Sequence, residues 1–120
     1  MRSPALRIDR LDHGATVQLS VRGELDLVSA SGLREAVAAL DGTPMRHLVV
    51  DLRALEFVDA AGLHALAGID AAARRNGHNA SFVRAAPLVH RTFEIVGLAD
   101  HLVFVDDPDD LRPPTPPEAA

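Results

Sequence analysis

The run Leu48-Val49-Val50-Asp51-Leu52, followed closely by FVDAAGLHAL at Phe57 to Leu66, constrains the fold more than any other stretch of the chain. An unbroken apolar segment of this kind predicts a central strand covered on both faces. From Asp59 onward the pattern changes period. Leu63, Leu66, Ile69 or Asp70, and Ala73 recur at helical spacing, and Asp is a favoured residue immediately before a helix. A buried strand feeding a helix is the repeating unit of a parallel sheet. Such junctions often carry a hydroxyl or a phosphate site, yet here Ala60 and Ala61 follow the acid and offer no reactive atom.

The rest of the chain repeats the alternation. Leu6, Ile8 and Arg10, then Ala15, Val17, Leu19 and Val21, alternate as strands do, and Asp12-His13-Gly14 between them predicts a hairpin turn. Gly23-Glu24-Leu25-Asp26 ends the second strand, and Ser29 is placed to cap a helix whose apolar face is Ala30, Leu33, Val37 and Leu40. Asp41-Gly42-Thr43-Pro44 stops that helix. The helix begun at Asp59 ends at Arg74-Arg75-Asn76-Gly77, with positive charge at the negative end of its dipole. A strand is expected from Ala80 to Ala85. Pro87 suits the first turn of a third helix carrying Val89, Phe93 and Val96 on one side, and Leu102 to Val105 form the last strand. The order β-β-α-β-α-β-α-β implies a single α/β domain with a largely parallel sheet.

Composition removes several functions. At 120 residues and 48% hydrophobic content the chain suits one folded domain. It has no cysteine, so disulfides and thiolate chemistry are excluded, and no lysine. The body before residue 106 balances 12 acids against 11 arginines, leaving no basic footprint for nucleic acid. The only aromatic residues are four phenylalanines, which supply no platform for stacking bases. No apolar run is long enough to insert in a membrane and the N-terminus lacks the apolar core of a signal peptide, so a cytoplasmic protein is expected. From Asp106 the chain reads DDPDDLRPPTPPEAA, with five of the eight prolines. This predicts a disordered acidic tail over 106–120, and residues 1–5 are expected to be an N-terminal extension of a domain at 6–105. The Pro-x-x-Pro spacings in the tail could in principle dock on a proline-reading module, but the favoured reading is a plain unstructured end.

No cluster of residues points to catalysis or to a cofactor. The six histidines, at 13, 47, 64, 78, 90 and 101, show no i, i+4 pair suited to a metal. They read as solvated or turn residues, with His64 placed to face a partner. There is no G-x-S-x-G and no glycine-rich phosphate loop. Asp51 closes the central strand, where a response-regulator receiver carries its phosphorylated aspartate. A receiver also needs a paired acid after its first strand and a lysine, and both are absent, so Asp51 reads as a polar strand-end residue.

The element order, together with GELD at 23–26, LVVDL at 48–52, FVDAAGLHAL at 57–66 and FEIVGLADHLVFV at 93–105, resembles the STAS domain, and more narrowly the bacterial anti-sigma factor antagonists. The likeness runs over about residues 5–106. It implies a mixed sheet with helices packed mainly on one side. It also implies a non-enzymatic module that binds an anti-sigma factor protein kinase and frees the sigma factor. In that family the residue after the acid at the helix start is the serine or threonine that becomes phosphorylated. Free N–H groups and the dipole hold a phosphate there, and the added charge breaks the interface. In this chain that position is Ala60, so the resemblance implies a protein that cannot be switched off there. Three outcomes stay open: an antagonist controlled by its amount, a partner without kinase activity, or a decoy.

The resemblance places the partner-binding surface at Asp26, Ser29, Asp59, Ala60, Ala61, Gly62, Leu63 and His64, with apolar contact from Ala60, Ala61 and Leu63. Each residue also has a plainer role. Asp59 suits an N-cap, Asp26 a loop acid, Ser29 a cap, and Gly62 close packing of the helix start. Self-association is a second expected protein contact. The same fold also serves as a scaffold of stress-sensing complexes and as an accessory subunit of lipid-transport ATPases, which is the alternative reading.

Overall fold

A strand covered on both faces needs neighbours on both sides, and Leu48-Val49-Val50 has them. The structure, a computed structural model, describes residues 6–111. Its elements are β1 (Arg7–His13), β2 (Thr16–Leu25), α1 (Ala30–Ala38), β3 (His47–Asp51), β4 (Leu55–Val58), α2 (Ala60–Arg75), β5 (Asn79–Val83), α3 (Pro87–Ile95) and β6 (Phe104–Val105), followed by a 3₁₀ turn at Pro108–Leu111. The strands lie in the order β1-β2-β3-β5-β6, with β1 antiparallel to β2 and the remaining pairs parallel. β3 is therefore central, with Val49 and Val50 both buried.

Alternation decides which face meets the helices. Val17, Leu19 and Val21 on β2 share a face with Leu48 and Val50 on β3 and with Ala80 and Phe82 on β5. The same residues join Leu33 and Leu40 from the α1 region, Leu63, Leu66 and Ile69 from α2, and Phe93 from α3 in one core. The turn after β1 is Gly14-Ala15, with Gly14 at φ 58°, so β1 runs through to His13 and past the expected Arg10. On α3 the buried positions are His90 and Phe93, while Val96 is exposed. The expected face of Val89, Phe93 and Val96 is thus rotated toward His90.

One element departs from the expected order. β4 pairs in parallel with the far end of β2, Gly23 to Leu25. β2 follows β3 only as far as Ser20, then shifts register between Gly23 and Glu24, where Gly23 takes φ 101°. A positive φ of this size favours glycine. Gly23 faces Leu55 and Glu24 faces Phe57, so Glu56 on β4 is the extra residue, the two-against-one count of a β-bulge. Consequently Leu25 lies beside Val58, and two segments 33 residues apart meet where α2 begins.

Residues 1–5 and 112–120, the expected extension and most of the expected tail, lie outside the described residues. Within the described part of the tail, Asp106 Oδ1 pairs with Arg84 Nη1 at 2.7 Å before the 3₁₀ turn. No helix among the described residues is long and apolar enough to cross a membrane.

Candidate protein-docking site

The start of α2 is fixed by a carboxylate and a glycine. Asp59 is extended (φ −106°, ψ −175°), and its Oδ1 accepts a hydrogen bond from the Gly62 N–H at 2.9 Å. This is the N-cap geometry expected from the sequence. The second oxygen, Oδ2, accepts from the Leu27 N–H at 3.2 Å, so the cap also holds the loop after β2. The backbone adds Asp59 N–H to Leu25 O at 3.2 Å. Gly62 packs hard against the same loop. A Cβ there would stand 2.5 Å from Leu25 O and 2.8 Å from Val58 Cγ2, so only glycine lets the helix approach. Its expected packing role is therefore what the geometry requires.

The loop itself is locked by an exchange between Asp26 and Ser29. Asp26 Oδ1 accepts from the Val28 and Ser29 N–H groups at 3.0 and 2.9 Å. Ser29 Oγ accepts from the Asp26 N–H at 2.9 Å and lies 2.8 Å from Glu24 O, to which its hydroxyl donates. The hydrogen bond from the Ser29 N–H, joined by that from the Val28 N–H, holds the Asp26 carboxyl below its usual range. The expected capping role of Ser29 is corrected here. Its side chain makes no bond to the N–H groups of α1, because the tight turn from Glu24 already occupies it.

These contacts decide which of the expected residues can touch a partner. Ala60 and His64 are exposed and Ala61 is half-buried. Leu63 is only 5% exposed and belongs to the core, and Gly62 is buried. The expected apolar contact from Leu63 is therefore corrected: the side chain points inward with Leu66 and Ile69. The large apolar side chains that do face outward here are Leu27 and Val28, 77% and 84% exposed on the loop tied to Asp59, with the half-exposed Phe57 on β4. The sequence carried a signal for them, two consecutive large apolar residues directly after the turn acid of GELD. The loop's polar groups are thus bonded internally while two of its large apolar side chains face water.

Elsewhere the histidines divide. His90 is buried, with Phe104 edge-on at a ring distance of 4.7 Å and Phe93 stacked at 5.7 Å. Burial, then the nearby Arg84 charge, pulls its pKa below the ordinary value. His47 is half-buried, with Nε2 3.0 Å from Ser81 Oγ, and burial lowers its pKa as well. The expectation of solvated or turn histidines is thus corrected at these two positions. Asp51 is buried at the end of β3 and pairs with Arg53 Nη2 at 2.8 Å, in keeping with a strand-end role. Among the described residues no group of three His, Cys, Asp or Glu side chains is arranged to hold a metal ion.

A family model described as "Mlab, STAS domain" matches residues 9–106. The chain belongs to the STAS family. This STAS domain is 34% identical over 89 residues to the anti-sigma-F factor antagonist RsfB of Mycobacterium tuberculosis, an alignment covering 72% of this chain and 70% of that protein. It is 26% identical over 95 residues to an anti-sigma-B factor antagonist of Staphylococcus epidermidis, covering 79% of this chain and 88% of the relative. The crystal structure of an anti-sigma factor antagonist from Mycobacterium paratuberculosis has a TM-score of 0.75 to it, at 28% identity and with 88% and 90% of the two chains covered. The STAS domain's family and its mixed sheet are thus those expected from GELD, LVVDL and FVDAAGLHAL.

Proposed function

We propose that this STAS domain is a non-enzymatic antagonist that binds an anti-sigma factor of serine-kinase fold and so releases a sigma factor. The observation that carries the reading is the mouth of α2. Exposed Ala60 stands at its first position, beside a loop whose own hydrogen bonds hold Leu27 and Val28 out in water. A methyl group at residue 60 allows apolar docking, whereas a phosphate would bring about −1.5 to −2 charges to the same point. With no hydroxyl at Ala60 or Ala61, the domain has no phosphorylation switch there. Ser29 is a poor substitute acceptor, because its Oγ is half-buried and already engaged. The names of the relatives support the partner class, and the exposed loop supports the docking surface.

Capture from a lysate of the source bacterium, followed by mass spectrometry, tests this. The wild-type domain is expected to retain an ATP-binding anti-sigma factor, and Ala60→Glu is expected to lose it. Recovery of a transporter ATPase, or of the same proteins by both baits, would overturn the reading. A transporter ATPase would favour the accessory-subunit alternative instead.

A further inference from the structure

β1 is an edge of the sheet: among the described residues it pairs with β2 alone, from Arg7 to His13. The N–H and C=O groups on its outer side are a template for another strand. Charged side chains usually blunt such an edge, and β1 carries Arg7, Asp9, Arg10 and Asp12. Their order matters more than their number. At its centre β1 reads Arg10-Leu11-Asp12, a leucine between opposite charges. Arg10 and Asp12 share a face with Leu19 and Val17, and the guanidinium holds the carboxylate at 2.7 and 2.9 Å. Leu11 points to the other face, beside Gln18, and is 52% exposed.

That order selects a partner and a register. Two copies joined antiparallel along this edge are related by a twofold axis normal to the sheet, which keeps the helices of both on one side. Residues directly opposite then share a face, and the axis passes beside one residue that meets its own copy. With the axis at Asp9, Arg10 or Asp12, a charge faces an identical charge, which destabilises the pairing. With the axis at Ile8, the strand's start at Arg7 limits the pairing to Arg7, Ile8 and Asp9. With the axis at Leu11, leucine meets leucine, Arg10 faces Asp12, and Asp9 faces His13. On the Arg10 face each charge then has an opposite charge beside it along its own strand and across the axis.

We propose that β1 pairs antiparallel with β1 of a second copy about a twofold at Leu11, joining two sheets into one. The paired segment is short, Asp9 to His13 in each chain, so the contact belongs to the small, reversible class of interfaces. Leu11 lies beside Gln18, in the half of β2 away from Leu25 and the mouth of α2. The dimer therefore leaves both mouths free and does not depend on what docks there.

Sedimentation velocity of the full chain, carried to about 1 mM, tests the proposal. Wild type is expected to pass from monomer to dimer as concentration rises. Arg10→Asp sets carboxylates opposite carboxylates and Asp12→Arg sets guanidinium groups opposite each other. Each alone is expected to weaken the dimer by about tenfold or more. An equimolar mixture of the two is expected to recover it, because every opposed pair is again of opposite sign, and that recovery also shows that both variants fold. Leu11→Arg, with like charges at the axis, is expected to stay monomeric. Wild type that remains monomeric at the highest concentration would overturn the proposal. So would dimers retained by both charge variants, or a mixture of folded variants that stays monomeric.

Discussion

The two ends of α2 are built to opposite standards. At Ala60 the helix starts against Asp59, Leu25 and Val58, with a carboxylate bonded in two directions and a glycine in contact with a backbone oxygen. Toward Arg75 the same helix stands off α1 across an open cavity beside Gly68. Both ends contain a glycine, but Gly62 is required by contact and Gly68 is surrounded by space. Close contact along α2 is thus concentrated at its N-terminal end. The end that carries Leu27, Val28 and Ala60 is closely bonded and packed, while the far end is left open.

The largest expected effect is at the tight end. Gly62→Val should cost about 3 kcal/mol or more, because Leu25 O is backbone and cannot yield without moving the β2 end. Chemical denaturation measures it, and a loss under about 1 kcal/mol would show that the mouth is not closely packed. Asp59→Ala should cost about 1–2 kcal/mol, since it removes the cap and frees the Leu27 N–H. Hydrogen exchange of the Leu27 and Gly62 amides should rise in the same variant. Leu27→Asp with Val28→Asp should leave the unfolding midpoint nearly unchanged yet weaken a captured partner by about tenfold or more, read by calorimetry.

Acid should separate the mouth from the sheet it is mounted on. His47 and His90 have native pKa values below their ordinary 6.5, so the folded chain binds fewer protons than the unfolded chain just below that pH. Their contribution is intact above about pH 7 and is lost as pH falls from about 6.5 toward the lowered native values. Asp26, with its native pKa below 3.8, keeps its turn through that window and gives up its contribution only as pH falls below 3.8. His90→Phe, which also removes an Nδ1 without a hydrogen-bond partner, should flatten the upper step. Denaturation at pH 7 and pH 5 compares the two proteins. The smallest effect belongs to the loose end: Gly68→Ala should stabilise by about 0.5–1 kcal/mol, through helix propensity alone.

Legibility in the sequence followed the strength of each local signal. LVVDL announced the central strand because three consecutive apolar residues are buried on both faces, and Asp59 announced the cap because the period changes from strand to helix at that residue. β4 was not legible. Its burial runs buried, exposed, exposed, buried from Leu55 to Val58, which has no two-residue period to recognise. Its existence depends on the far end of β2, a contact across about 30 residues. α2 begins where Asp59 predicts it, but the inward turn of Leu63 was not legible because the helix phase at its first turn depends on the Gly62 contact. His90 was missed for a related reason, since the face of α3 turned by one residue to place it against Phe104. The cavity by α1 left no pattern, because alanine and glycine are as common on a filled helix contact as on an open one.

Whether the mouth of α2 lacks a phosphorylation switch is decided by adding ATP to the complex. The captured anti-sigma factor would be bound to wild type and to Ala60→Ser in separate samples, and dissociation followed after addition of magnesium ATP. The wild-type complex is expected to persist while the Ala60→Ser complex is phosphorylated and dissociates. Release of wild type with a phosphate on any other residue would contradict it.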